Sequence, residues 1–220
     1  MAGRTQVREN ATINPMEPII LASGSPRRQE YFRLLGLPFT CMPSPANEDF
    51  NPQAEPRAVA EELAIRKVNK IVEILKNESP LSSTKTVEPW VCGADTLIAL
   101  DGKIYGKPLD RDDAGRMLRA FQGKTHEVIS SVALFNGRAK TVDCRSVIST
   151  VTFAPLTSGE IEWYLDSEEW QDAAGAYKIQ GLASCFITAI NGSYSSIVGL
   201  PLREFYVMLR ENGYQFGSQF

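Results

Sequence analysis

Several groups of residues in this sequence carry the types that handle phosphate and water. The first is Ser23-Gly24-Ser25-Pro26-Arg27-Arg28, which follows an apolar run and opens a helical pattern. Free N–H groups and the dipole at a helix start both favour an anion. Two serines add donors, and two arginines add the forked charge that suits phosphate oxygens. A capped helix with a solvated basic first turn is the plainer reading. It explains the arginines poorly, because cations at that end oppose the dipole by about 0.3–1 kcal/mol. The second group is Asp95, inside the apolar stretch 90–100. A carboxylate buried without a partner is too costly to persist, so Asp95 needs a metal, a cation or a cleft. Gly93 and Ala94 leave its approach uncrowded. A strand-end aspartate capping a turn stands beside that reading with equal weight, and Glu48 facing the same cleft would favour a catalytic base or metal ligand.

Weaker signals lie elsewhere. Lys107 is fixed between Gly106 and Pro108, yet a solvated loop lysine is the commoner occurrence, and Lys67 on a helical stretch reads the same way. Ala174-Gly175-Ala176-Tyr177-Lys178-Ile179-Gln180-Gly181 permits close backbone approach, and Gln180 offers donors and an acceptor for a base edge. A packed Gly/Ala turn fits that segment as well. Gly123-Lys124-Thr125 looks like the end of a P-loop, but the position of its first glycine is Leu118. No G-x-S-x-G elbow or H-E-x-x-H is present. His126, the sole histidine, sits beside a turn and reads as structural.

These residues need elements to hold them. Pro18 to Ala22 reads as a buried strand, followed by a helix that Ser25 caps, Pro26 opens and Gly36 stops. A short strand near Phe39 to Met42 leads into a Pro-rich loop carrying Glu48 and Asp49. The next helix starts at Pro56, with Val59, Leu63, Ile71 and Leu75 on its apolar face and Arg66-Lys67 near its middle. Asn77 to Pro89 has the composition of a variable surface loop. Trp90 to Leu100 is the most apolar strand, turned back by Asp101-Gly102. Asp110 or Asp112 caps a helix closing at Gly123. Val128 to Phe135 and Thr141 to Phe153 form a hairpin around Asn136-Gly137, and Thr157 to Glu160 is a capping box. Ser184 to Ile190 reads as a strand, and Pro201 to Asn212 as the last helix before Gly213. The expected fold is α/β, a mixed sheet with flanking helices. Residues 1–17 form a loose N-terminal extension and 18–215 a single domain of two lobes.

Composition narrows the field. The 220 residues can bury a real core, and 43% hydrophobic with 22% charged is ordinary for a globular chain. A formal net charge of −3 disfavours a protein that lives on nucleic-acid phosphates. Cys41, Cys92, Cys144 and Cys185 form no C-x-x-C pair, and with a single histidine they make no zinc site. They read as reduced, buried small hydrophobes. No stretch approaches the roughly 20 apolar residues of a membrane span. The N-terminus lacks the apolar centre of a signal peptide, so the expected location is cytoplasmic.

Taken in order, the segments resemble the Maf family of nucleoside triphosphate pyrophosphatases. The likeness runs from Ile20 to about Gly213. It rests on Leu21-Ala22-Ser23-Gly24-Ser25-Pro26-Arg27-Arg28, Gly93-Ala94-Asp95-Thr96, Gly106-Lys107-Pro108 and Gly123-Lys124-Thr125-His126. Ala174-Gly175-Ala176-Tyr177 with Ile179-Gln180-Gly181, and Val198-Gly199-Leu200-Pro201-Leu202, complete the series. No single motif is specific; the ordered set is.

The resemblance implies an elongated fold with a central cleft, of the Maf/inosine-triphosphatase type and often dimeric. It implies house-cleaning hydrolysis of non-standard or surplus nucleotides with Mg2+ or Mn2+. The Ser-Pro-Arg-Arg, Ala-Asp-Thr and Ile-Gln-Gly versions look like the branch acting on dTTP and UTP. By that likeness Asp95 is the base and, with Glu48, a metal ligand. Arg27, Thr96 and Gln180 bear on substrate choice, and Ser23, Arg28, Lys67 and Lys107 line the site. One departure is Ala173, where many relatives carry lysine. Two rivals remain: a non-catalytic nucleotide or nucleic-acid binding module, and a phosphatase releasing orthophosphate stepwise.

Overall fold

The computed structural model describes residues 16–78 and 89–217. Strands β1 (Ile19–Leu21), β2 (Phe39–Cys41), β3 (Trp90–Leu100), β4 (Lys103–Tyr105), β5 (Thr125–Asn136), β6 (Thr141–Phe153) and β7 (Ile187–Asn191) form one mixed sheet. Its order is β2-β1-β3-β5-β6-β7, with β4 also on β3. β1 runs parallel to β2 and β3, and the pairs from β3 through β7 are antiparallel. The helices are α1 (Pro26–Leu34), α2 (Pro56–Glu78), α3 (Arg111–Phe121), α4 (Ser158–Asp166), α5 (Tyr194–Val198) and α6 (Leu202–Glu211). The expected α/β architecture with a mixed sheet is therefore what the chain adopts.

One irregularity of β3 creates the cleft. On one edge β3 pairs with β5 from Val91 to Ala99. On the other edge β1 covers only Trp90 to Cys92, and β4 only Ile98 to Leu100. Between them Gly93 to Leu97 have no strand partner on that side among the described residues, and Asp95 and Thr96 lie in this gap.

Helix α2 packs on the sheet through Val59, Ala60, Leu63, Ala64, Val68 and Ile71. Gly93 explains how close it comes. A Cβ there would lie 2.8 Å from the Ala64 carbonyl oxygen and 2.9 Å from Val68 Cγ2. The glycine thus serves helix-on-strand contact, and the sequence reading of it as clearance around Asp95 is corrected. A second apolar cluster around Phe121, Phe153, Tyr164 and Tyr177 ties α3, α4 and the 174–186 segment together.

Several expectations need correction. Ser25 occupies the N-cap position of α1, but its side chain makes no capping hydrogen bond. Ser184 to Phe186 belong to a 3-10 turn (Leu182–Phe186), and only Ile187 onward is strand. Among the cysteines only Cys92 is buried; all four are free, Cys144 is intermediate, and Cys41 and Cys185 are exposed. Cys41 lies on the sheet's outermost strand and Cys185 on the 3-10 turn, so apolar neighbours in sequence did not mean burial. Asp110, not Asp112, caps α3, and Thr157 with Glu160 forms the expected capping box. Residues 1–15 of the proposed extension and 79–88 of the Ser/Thr-rich loop lie outside the described residues.

Candidate active site

Period-two alternation along β3 sends Asp95 and Thr96 to opposite faces of the sheet. Asp95 faces α2. Its Oδ1 accepts a hydrogen bond from Lys67 Nζ at 2.5 Å, and the same ammonium lies 2.7 Å from Glu48 Oε1. Asp95 is 7% and Lys67 8% exposed. The bland readings of both fall: Asp95 is mid-strand rather than a turn cap, and Lys67 is no solvated lysine. The close approach that Gly93 permits is what brings Lys67 within reach. At Glu48, burial opposes ionisation, yet the Lys67 hydrogen bond and charge, with Lys107 and Arg28 beyond, hold its pKa below the ordinary carboxylate value.

The start of α1 adds cationic groups near these carboxylates. Arg28 is tied at two points: Nε donates to the Gly199 carbonyl at 2.9 Å and Nη1 to Ser23 Oγ at 3.0 Å. Ser23 Oγ also accepts the Ser25 N–H at 3.2 Å. Burial lowers the Arg28 pKa, and the nearby Asp95 carboxylate works against that shift. Arg27 reaches only the Asp172 carbonyl, at 3.4 Å. Because no side chain caps α1, its first-turn N–H groups remain available to an anion.

A cavity of about 810 Å³ joins these groups, within the size range of small-molecule sites. Every residue singled out from the sequence lines it: Ser23, Arg27, Arg28, Glu48, Lys67, Asp95, Thr96, Lys107 and Gln180. Lys107 is loosely held, 3.9 Å from Asp172, and its side chain is 58% exposed. Ala173, the position singled out as a departure, lines the same space, as does Lys178.

His126 stays outside the chemistry. It is buried among Phe121, Phe153 and Tyr177, its Nε2 2.8 Å from the Tyr177 hydroxyl. Burial drives its pKa down to about 4, so it is neutral at pH 7. Its role is to brace the segment that ends in Gln180.

Sequence reasoning missed the supports. Gly199, quoted only as part of a motif, carries the carbonyl that fixes Arg28 and adopts φ of +130°. Ser130 holds Thr96 by a hydroxyl–hydroxyl hydrogen bond and itself donates to the Ser196 backbone carbonyl. Ser193 as cap and Gly199 as stop could have marked α5, but five residues are too few for periodicity to show.

Asp95 and Glu48 are also the residues suited to a divalent cation. Two carboxylate oxygens facing a cleft are the hard donor set that Mg2+ takes when substrate phosphates and water complete its shell. Among the described residues no group of three or more His, Cys, Asp or Glu gathers for a full protein cage. The donor set fits a cation shared with substrate.

Residues 18–212 match the family model described as Maf-like protein. The chain belongs to the Maf family. Proteins named dTTP/UTP pyrophosphatase are similar over most of their length. That of Symbiobacterium thermophilum is 39% identical over 199 residues, 90% of this chain and 96% of the relative. That of Hahella chejuensis is 42% identical over 200 residues, covering 91% and 94%. That of Escherichia coli (strain K12) is 41% identical over 194 residues, covering 88% and 92%. A solved HAM1 protein from Coxiella burnetii superposes with a TM-score of 0.51 over 89% of this chain and 100% of that one. At 15% identity this likeness shows a shared fold alone. No helix among the described residues is long and apolar enough to cross a membrane.

Proposed function

We propose that this Maf family member is a nucleotide diphosphatase that hydrolyses dTTP and UTP, and modified nucleotides of similar shape, to the monophosphate and pyrophosphate. The observation that carries the proposal is the cleft itself. Asp95 and Glu48 converge on Lys67, Arg28 is braced beside them, and the cavity they line has room for a nucleotide. The substrate pair comes from the names of relatives about 40% identical over most of the chain.

In this reading Arg27, Arg28, Lys67 and Lys107 hold the triphosphate, and the bare start of α1 donates backbone N–H groups to its oxygens. A divalent cation, Mg2+ or Mn2+, held by Asp95 and Glu48 would neutralise charge on the phosphate oxygens. Asp95 orients a water opposite the leaving oxygen and accepts its proton. The new bond forms at the α-phosphorus, and the bond to the bridging oxygen breaks. Pyrophosphate departs with that bridging oxygen, steadied by Lys107. Arg27, Thr96 and Gln180 meet the nucleoside. The free thiols, two of them exposed, fit a reducing cytoplasmic setting. A homodimer belongs to the same proposal, and the net charge of −3 speaks for a free nucleotide over a nucleic acid.

The test is to incubate the protein with dTTP or UTP and Mg2+ and to separate the products. Monophosphate and pyrophosphate in equal amounts are expected. Diphosphate with orthophosphate appearing first would mean a stepwise phosphatase. Bound but uncut nucleotide would mean a binding module.

A further inference from the structure

Thr96 faces α5, on the opposite side of the sheet from Lys67, and a hydrogen-bond chain behind it has a fixed direction. Ser130 stands across from Thr96 in the β3–β5 ladder and is fully buried. Its Oγ donates to the Ser196 carbonyl at 2.6 Å and lies 2.8 Å from Thr96 Oγ1. A serine hydroxyl has one proton, and a carbonyl oxygen only accepts. The Ser130 proton is therefore spent on Ser196, so the proton between the two hydroxyls must come from Thr96. The Ser196 carbonyl also accepts the Gly199 N–H at 2.9 Å, which anchors the end of the chain.

Thr96 is thereby left with lone pairs and no proton to offer the cleft that it lines. Gly199 borders the same space: a Cβ there would lie in ordinary contact, 3.7 Å from Thr96 Oγ1 and 3.9 Å from Arg28 Nε. A triphosphate at neutral pH presents acceptors, which such a hydroxyl cannot serve. It can serve an N–H or O–H donor on the nucleoside: the N3–H of uracil or thymine, or a sugar hydroxyl. Cytosine presents an acceptor at N3.

We propose that Ser130 is a positioning residue that locks Thr96 as a hydrogen-bond acceptor, so that the site selects nucleotides offering a donor at that point. The inference rests on the pyrophosphatase reading and adds the physical basis of its selectivity. The test compares kcat and KM for UTP against CTP, and for dTTP against 3′-deoxythymidine triphosphate, in the wild type, Ser130→Ala and Thr96→Val. Binding of the matching monophosphates is titrated alongside. In Ser130→Ala the Thr96 hydroxyl is free to turn and donate. One of the two preferences should then shrink about tenfold, the scale of one buried hydrogen-bond mismatch, and more in KM than in kcat. A change in the UTP/CTP pair assigns the donor to the base; a change in the other pair assigns it to the sugar. Both preferences unchanged in Ser130→Ala would overturn the proposal. Should that variant not fold, the near-isosteric Thr96→Val carries the test: it must erase the same preference, and its retention would overturn the proposal. A wild type that cuts neither UTP nor dTTP would defeat the pyrophosphatase reading instead, and the monophosphate titrations would still decide the chain.

Discussion

The two walls of the cleft are built differently. In the inner wall Lys67 bridges two carboxylates, and Arg28 is pinned by a serine and a backbone carbonyl. In the outer wall Arg27 makes one long contact, Lys107 stands 3.9 Å from Asp172, and Gln180 is exposed. In our reading the inner wall meets the phosphate under attack, and the outer wall meets the departing pyrophosphate and part of the nucleoside. The attacked phosphate is the same in every nucleotide, so fixed charges aimed at it lose nothing to reorganisation when the reaction begins. The nucleoside varies and pyrophosphate must leave, and loosely held side chains can adapt to both at the cost of ordering on binding.

Asp95→Asn tests the inner wall hardest. It should lower kcat about 10²- to 10⁴-fold, the usual worth of a general base, while thermal melting shows a folded protein. Near-normal turnover would remove Asp95 from the chemistry. Next comes Arg28→Ala, expected to lower kcat/KM by about 2–3 kcal/mol, or roughly 30- to 150-fold, as a charge-assisted bond to phosphate is lost. A loss no larger than that of an exposed lysine would erase the difference between the walls.

The third prediction concerns the brace behind the outer wall. Burial depresses the His126 pKa from its ordinary 6.5 to about 4. The unfolded chain therefore binds a proton that the folded one refuses between those values. The stability from neutral His126 is complete above 6.5 and drains away as pH falls toward 4. Denaturant titrations should show about 2 kcal/mol lost between about pH 7.5 and pH 5 from this group, and His126→Gln should flatten that slope. An equal slope in the variant would place the titration elsewhere. The smallest effect is expected for Gln180→Ala, about 1 kcal/mol or less in kcat/KM, with its size differing between dTTP and UTP. A loss matching that of Arg28→Ala would show the outer wall to grip substrate as firmly as the inner one.

The legible parts of this molecule were those written in local chemistry. The apolar run of β3, Asp110 and Thr157 as caps, and the serine-arginine start of α1 all declare themselves in a few adjacent residues. Asp95 could be flagged because a carboxylate in an apolar strand demands a partner, but the partner could not be named. Lys67 lies 28 positions away, and only the contact of α2 with Gly93 brings it there. The same limit hid Ser130 and Gly199, whose roles exist only through pairing across β3–β5 and the turn after α5. Likewise β4 and α5 are too short to show a period, and the exposed Cys41 and Cys185 show that apolar neighbours in sequence need not share a core.

The central claim is that this cleft directs water onto the α-phosphorus. Hydrolysis of dTTP or UTP in water enriched in oxygen-18, followed by mass analysis of both products, tests it most directly. One labelled oxygen in the monophosphate and none in the pyrophosphate is the predicted result. Label in the pyrophosphate with none in the monophosphate would place the attack at the β-phosphorus and contradict it.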